Sequence, residues 1–216
     1  MSNKKKCIKI GDEFPEIKGN STSGFLELPE EYKGRWFVLV SLIADFTPVC
    51  TTELIGFNEI VEKLDAIDCS LVFLSFDHVY SHINWIKWIK QKMEIEIQAP
   101  IIAGNNKMAK KLGLYGENEE NLMRCTFIVN PIGIMRLSHY YPKEVGRVPA
   151  EIVRTVRALR IAGDQDVLTP ANWPENKQLG EKVLISAPTD EESAKDALED
   201  YDNYDWWFCY KSLDFE

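Results

Sequence analysis

The stretch WFVLVSLIADFTPVCTTELIGF, residues 36–57, decides the reading of the fold. Its first part, WFVLVSLIA at 36–44, is short, apolar except for Ser41, and rich in aromatic and β-branched residues. That is the composition of a strand covered on both faces. Pro48 then suits the opening turn of a helix, because its missing N–H would have no partner there. Behind it Leu54, Phe57, Ile60, Val61 and Leu64 recur at helical spacing. Cys50 therefore stands where a buried strand hands over to a helix. Unpaired backbone N–H groups and the positive end of the helix dipole favour a thiolate at such a place. Thr47, three residues earlier, lies where a turn can bring its hydroxyl near the sulfur. Cysteines also occupy helix starts as small packing residues, so position alone leaves both readings open.

The pattern continues outward from this unit. SLVFLSF at 70–76 reads as a second strand, and residues 81–93 as a helix whose apolar side is Trp85, Ile86, Trp88 and Ile89, with both tryptophans in the core. A short strand near 101–103 and a helix over 106–112 follow. CTFIVN and IMRLSHYY flank the turn residues NPIG and form a hairpin. Pro149 opens a further helix to about residue 162. The order β-α-β-α-β-α-β-β-α predicts an α/β domain with a mixed sheet and packed helices. We place this domain at residues 1–163, closed by Gly163, and a C-terminal domain and arm at 164–216. The second segment begins with a Pro/Gly/Asn-rich connector, contains a lone strand VLISAP, and has a helix to about residue 198 with Thr189 and Glu192 as a capping box. It ends in the aromatic cluster Trp206, Trp207, Phe208 and Tyr210. Such a cluster would be an exposed apolar patch unless covered, which points to docking on a partner subunit.

Composition excludes several classes. Net charge is −9, and residues 190–205 alone hold eight acids against one base, Lys195. Neither nucleic acid nor an anionic membrane suits such a chain. The basic start MSNKKKCIKIGDEFP lacks the apolar run of a secretory signal, and 36–44 is too short to span a bilayer, so a cytoplasmic location is expected. The five cysteines (Cys7, Cys50, Cys69, Cys125, Cys209) include no C-x-x-C pair, which argues against a dithiol motif and a zinc ribbon. His78 and His82 are four apart but lack a third ligand, so no metal and no cofactor are expected. Cys7, Cys69 and Cys125 read as packing or idle surface, and His139 as structural.

Taken together, ADFTPVCTTE, SFDHVYSHINWIKWI, PIIA with AKKLGL, RCTFIVNPIGIMR, YYPKEVGR and TPANWP resemble the peroxiredoxins, most closely the 1-Cys branch found in many archaea and bacteria and including alkyl hydroperoxide reductase-like proteins. The matching pieces span roughly residues 8–175, and the C-terminal DWWFCY resembles the arm of some archaeal members. The resemblance implies a thioredoxin-like fold and reduction of hydroperoxides to water and alcohols through a cysteine sulfenic acid, in antioxidant defence. It makes Cys50 the peroxidatic cysteine and Thr47 the hydroxyl that holds peroxide and thiolate. Arg124 becomes the arginine beside the sulfur; read alone, an arginine before an apolar strand is more often a solvated end residue. Glu53 would orient arginines, with Arg147 as the second of them. It further implies an external thiol or thioredoxin-like reductant, and a homodimer assembled into a decamer.

Chemistry explains these residue types. A thiol of ordinary pKa is only about 3% thiolate at neutral pH, so lowering the pKa gains at most about 30-fold. The remaining rate must come from donors aimed at the two peroxide oxygens. One departure from the family pattern is Ile43 where a proline is usual, with Leu42 where this branch often has histidine. Ile43 replaces the proline's bulk but not its fixed φ. Cys209 in the arm is a candidate resolving thiol, since Asn203 stands where some archaeal relatives carry a second arm cysteine; a buried filler is the competing reading. Two other functions compete. A general thiol–disulfide oxidoreductase is opposed by the missing C-x-x-C, and a non-catalytic oligomeric holdase would keep the fold without the activity.

Overall fold

The structure is a computed structural model that describes residues 8–115 and 122–213. They group into two compact units, residues 1–150 and 151–216. The first is a seven-stranded sheet with flanking helices. In chain order its elements are β1 (Ile17–Ser21), β2 (Gly24–Leu28), β3 (Trp36–Ser41), α1 (Pro48–Asn58), α2 (Val61–Asp65), β4 (Cys69–Ser75), α3 (Val79–Met93), β5 (Ile101–Ala103), α4 (Asn106–Leu112), β6 (Arg124–Val129) and β7 (Met135–Tyr141). Helix α5 (Pro149–Asp164) crosses the unit boundary and falls almost wholly in the second unit, whereas the sequence reading groups it with the first domain. Helix α5 ends at Asp164, one residue past Gly163.

The strand order is β2-β1-β5-β4-β3-β6-β7. Strands β3, β4 and β5 run parallel, while β6 is antiparallel to β3 and β7 to β6. This is the mixed, helix-flanked sheet of a thioredoxin-like fold. All six residues of β3 and of β6 are buried, the polar Ser41, Arg124 and Thr126 included, as in strands covered on both faces. The core beneath them gathers Phe14, Phe37, Leu39, Val72, Phe127 and Val129 with helix residues such as Leu112. The catalytic candidate sits where β3, an inner strand next to the central β4, gives way to α1, the position at which sheets of this kind expose loops for chemistry.

Some expectations need correction. The sequence reading assigns no strand before residue 36, yet β1 and β2 form an antiparallel hairpin on the sheet edge. Their residues, IKGNS and GFLEL, mix glycine and polar groups, so the alternation is faint. The helix after Cys50 breaks into α1 and α2 instead of running on. Trp85 is fully buried, but Trp88 is 41% exposed, because the inner face of α3 is His82, Trp85 and Ile89, three to four residues apart.

The second unit holds α6 (Glu191–Asp200) and a small sheet ordered β8-β10-β9, from β8 (Val183–Leu184), β9 (Asp202–Asp205) and β10 (Phe208–Lys211). The cap of α6 is Asp190, whose carboxylate accepts from the Ser193 backbone, so Thr189 and Glu192 are not the capping pair. The connector is packed around a fully buried Trp173, which joins Ala158, Val167, Val183 and Leu213 in a core of its own. The arm is a β9–β10 hairpin that leaves Tyr204, Trp206 and Trp207 exposed. No helix of the described residues is long and apolar enough to cross a membrane.

Candidate active site

Cys50 is the third residue of α1, within the first turn, where N–H groups lack intrahelical acceptors. It shows no exposed surface. Thr47 is the N-cap, but its hydroxyl does not bond the helix. It donates to the carbonyl of Ala44 at 2.9 Å. Phe46 just before it has φ +54°, in the left-handed region that non-glycine residues rarely adopt. Leu42, in the family's histidine position, is buried and donates its N–H to Leu74 O, and Ile43 is half-buried.

Glu53 lies one turn after Cys50 and on the same face of α1. Arg124, the first residue of β6, is not a solvated strand end but is 3% exposed. Its Nη1 donates to Cys50 Sγ at 3.2 Å and to Glu53 Oε2 at 2.7 Å. Its Nε and Nη2 both donate to the carbonyl of Lys143, at 2.9 and 2.8 Å. Arg147 grips Glu53 from the other side. Its backbone N–H and Nε donate to Oε1 at 2.9 and 2.8 Å, and Nη2 donates to Oε2 at 2.8 Å. Its remaining donors meet Ser41 O, Cys125 O and Thr126 Oγ1, so all sides of the guanidinium are satisfied. Four of the five residues chosen from the sequence thus form one buried chain, Cys50–Arg124–Glu53–Arg147. Thr47 stands beside it, at the N-cap, with its hydroxyl turned to Ala44.

The other cysteines differ in kind. Cys69 and Cys125 are fully buried in strands, and Cys7 lies outside the described residues. Burial pushes the Cys125 thiol up to about 12, against smaller opposite pulls from Arg147 and Ser41. A thiol raised in the folded state holds its proton more tightly there than in the unfolded chain. Its contribution to stability is therefore complete below about pH 9 and is lost as pH rises towards about 12. Wild type is expected to lose urea resistance across that window more steeply than Cys125→Ala, by up to about 1.4 kcal/mol per pH unit. Equal slopes would show that Cys125 does not carry the effect. Cys209, on β10, is buried with Sγ 3.4–3.6 Å from the carbonyls of Trp206, Asp205 and Ala197. Burial, then the nearby Asp205 carboxylate, raises its pKa.

His82 pairs with Asp45, and His78 stacks on Tyr80, so the two histidines face different partners. Sequence reasoning missed the buried trio Asp45, Ser75 and His82. The one signal is the acid preceding Phe46 in ADFTPVC, which no periodicity distinguishes from a loop residue.

A cysteine in the first turn of a helix, with an arginine on its sulfur that a buried carboxylate and a second arginine hold in place, is an electropositive setting of the kind that suits a reactive thiol. Comparison with known proteins agrees. Residues 10–138 match the AhpC/TSA family, and residues 158–201 match the C-terminal domain of 1-Cys peroxiredoxin. A peroxiredoxin of Methanothermobacter marburgensis is 47% identical over 204 residues, covering 94% of this chain and 97% of that one. A peroxiredoxin of Archaeoglobus fulgidus is 46% identical over 211 residues, with 94% and 98% covered. Among solved structures, a yeast mitochondrial 1-Cys peroxiredoxin, described with its thiol resolving mechanism via glutathione/thioredoxin systems, aligns with a TM-score of 0.83 at 28% identity, covering 95% of this chain and all of that one. A cysteine-to-serine mutant of the peroxiredoxin 6 of Arenicola marina aligns at 0.79 and 26%, covering 97% and 100%. The chain belongs to the peroxiredoxin family, and is thus an antioxidant oxidoreductase.

Proposed function

We propose that the chain reduces hydrogen peroxide and organic hydroperoxides at Cys50. The observation that supports this most is the 3.2 Å contact between Arg124 Nη1 and Cys50 Sγ inside a buried network. Two guanidinium groups and one carboxylate leave one positive charge over, and among the groups they touch the Cys50 sulfur is the one able to balance it as a thiolate. The thiolate attacks one peroxide oxygen, the S–O bond forms as the O–O bond breaks, and the other oxygen leaves as water or alcohol once it gains a proton. A second thiol then attacks the sulfenic sulfur and releases water, and a further thiol regenerates Cys50.

The donors suit the charge that moves. Arg124 uses four of its five N–H groups on Sγ, Glu53 and Lys143, so one N–H on Nη2 remains for a peroxide oxygen. The backbone N–H of Cys50 is a second donor. With its proton on Ala44 O, the Thr47 hydroxyl still offers lone pairs to the peroxide O–H. Arg147 does not touch the sulfur; it acts by fixing Glu53, which aims Arg124. Stopped-flow measurement of peroxide consumption by the fully reduced protein tests this reading. A holdase that keeps only the fold would consume none.

Removing Arg124 is expected to cost about 2–4 kcal/mol in kcat/KM, as for other preorganised donors. Arg124→Lys should not restore the rate, because one ammonium cannot serve sulfur, Glu53 and the peroxide as a planar fork does. The check is kcat/KM with one peroxide alongside the thiolate absorbance of each variant. A loss fully matched by a smaller thiolate fraction would show that Arg124 only supplies thiolate.

Cys209 is proposed as the resolving thiol, reaching Cys50 of a second subunit when the arm loosens. The exposed Tyr204, Trp206 and Trp207 beside it support a homodimer joined through the arms, and dimers assembling into a decamer belong to the same proposal. Because Cys209 is buried with its sulfur turned to backbone carbonyls of its own unit, the arm must open before it reacts, and both Cα atoms must come within about 7 Å. One equivalent of peroxide is expected to give a dimer band on non-reducing gels that Cys209→Ser abolishes, while light scattering shows the reduced protein already dimeric or larger. Absence of a Cys50–Cys209 peptide by mass spectrometry would assign resolution to an external thiol or thioredoxin-like reductant. A cytoplasmic setting belongs to the same proposal, because five cysteines, an odd number without a C-x-x-C pair, do not suit a structural disulfide framework.

A further inference from the structure

The segment leading into Cys50 is held by a second set of buried polar groups that the reaction above does not use. Asp45 donates its backbone N–H to Asp77 Oδ2 at 2.7 Å. Its Oδ1 accepts from Ser75 Oγ at 2.9 Å, and its Oδ2 lies 2.7 Å from His82 Nδ1. Ser75 and His82 have no exposed surface and Asp45 has 8%. Facing a carboxylate, Nδ1 is the nitrogen that carries a proton and donates. Nε2 is buried with no hydrogen-bond partner among the described residues. A buried ring that leaves one nitrogen unpaired is kept against a desolvation cost, so the bond it does make calls for a role.

The neighbouring geometry supplies one. Phe46 is in the left-handed region, a conformation that persists only when both flanks are held. Asp45 is one flank and the N-cap Thr47 is the other. Trp85, one turn beyond His82 on α3, lies with its ring 6.2 Å from that of Phe46 and donates Nε1–H to Thr51 Oγ1 at 3.2 Å. The Thr51 hydroxyl in turn donates to Thr47 O at 2.8 Å. Helix α3 therefore grips the chain at residues 45, 46 and 51, on both sides of a cysteine with no surface of its own.

We propose that His82 is a positioning residue. Through Asp45 and Ser75 it clamps residues 45–47 and the first turn of α1 onto α3, and so sets how readily Cys50 leaves its pocket. While closed, the clamp holds Thr47 and Cys50 for attack on peroxide. It must release before the sulfur can meet a second thiol. A tight clamp prolongs the life of the buried sulfenic acid, and a second hydroperoxide can then transfer an oxygen to that sulfur, giving sulfinic acid and an alcohol. This consequence rests on the peroxidase reading of Cys50, but the clamp itself can be tested without peroxide.

The test is amide hydrogen exchange by mass spectrometry on the reduced full chain. His82→Leu removes the Nδ1 donor, and exchange at residues 46–51 is expected to quicken by at least about tenfold, with the β6–β7 hairpin unchanged within about twofold. His82→Asn puts an amide N–H close to where Nδ1–H was, and should return residues 46–51 to within about threefold of wild type. Ser75→Ala, which weakens the hold on Asp45 without touching the helix, should fall between, and decides alone if His82→Leu does not fold. Under repeated peroxide, His82→Leu should yield less sulfinic acid per turnover, and His82→Asn should restore it. Unaltered exchange at residues 46–51 in His82→Leu, or in Ser75→Ala if that variant stands alone, overturns the proposal, as does a His82→Asn variant as labile as His82→Leu. If wild type consumes no peroxide, the peroxidase reading fails while the exchange results still decide the clamp.

Discussion

Cys50→Ser is expected to consume hydroperoxide no faster than buffer, the largest effect of any single substitution in this chain. A serine hydroxyl fits the space, but it does not ionise near neutral pH, and oxygen is a far weaker nucleophile towards a peroxide than a thiolate. The surrounding donors would remain in place with nothing to assist. Arg124 Nη1, 3.2 Å from the sulfur in wild type, would keep its bond to Glu53, so the fold should survive. Cys7→Ser, Cys69→Ser and Cys125→Ser should consume peroxide at near the wild-type rate per mole of folded protein. The measurement is single-turnover peroxide loss with each reduced variant. Residual consumption by Cys50→Ser well above buffer would remove Cys50 from the centre of the reaction and put another thiol there.

Glu53→Gln is expected to cost about 3–5 kcal/mol of stability, the penalty for leaving a buried charge without its partner. Glu53 is 3% exposed and accepts one bond from Arg124 and three from Arg147. Neutralising it strands two guanidinium groups in a water-excluded site and points an amide N–H at donors. Removing one of the stranded charges should recover part of the loss, so Glu53→Gln with Arg147→Met should be less unstable than the two single losses added together. Denaturant unfolding at fixed protein concentration reads both quantities. The same change should lower kcat/KM on the order of a hundredfold, because Arg124 loses the carboxylate that aims it. A stability loss below about 1 kcal/mol would mean that the network is wet and open to solvent, unlike the geometry seen.

These two expectations are unequally legible in the sequence. Cys50 stands out because everything that marks it is local: an apolar run, a proline, and a helical repeat within 22 residues. For the same reason β3, α3, β5, α4 and the β6–β7 hairpin are readable, since strand and helix periods and turn residues act over a few positions. The exceptions have causes of two kinds, one local and one tertiary. The β1–β2 hairpin is too polar and glycine-rich to alternate clearly. Trp88 repeats at helical spacing like its buried neighbours, and only the direction of α3 against the sheet leaves it outside.

What the sequence by itself determined, then, is the strand–loop–helix unit with its thiol and, through the motifs around it, the family. The tertiary structure decided which groups meet that thiol. Arg124 and Glu53 are 71 residues apart, Arg147 and Glu53 94, and His82 and Asp45 37. Nothing in the local pattern distinguishes Arg124 from a solvated strand end or His82 from a core histidine. Their partners are fixed by the strand order, which sets β6 and β4 on either side of β3. That order carries Arg124 and Ser75 to the end of β3 where α1 begins. Side chains separated along the chain become neighbours there because the sheet's hydrogen bonds, not their own attraction, bring their backbones together.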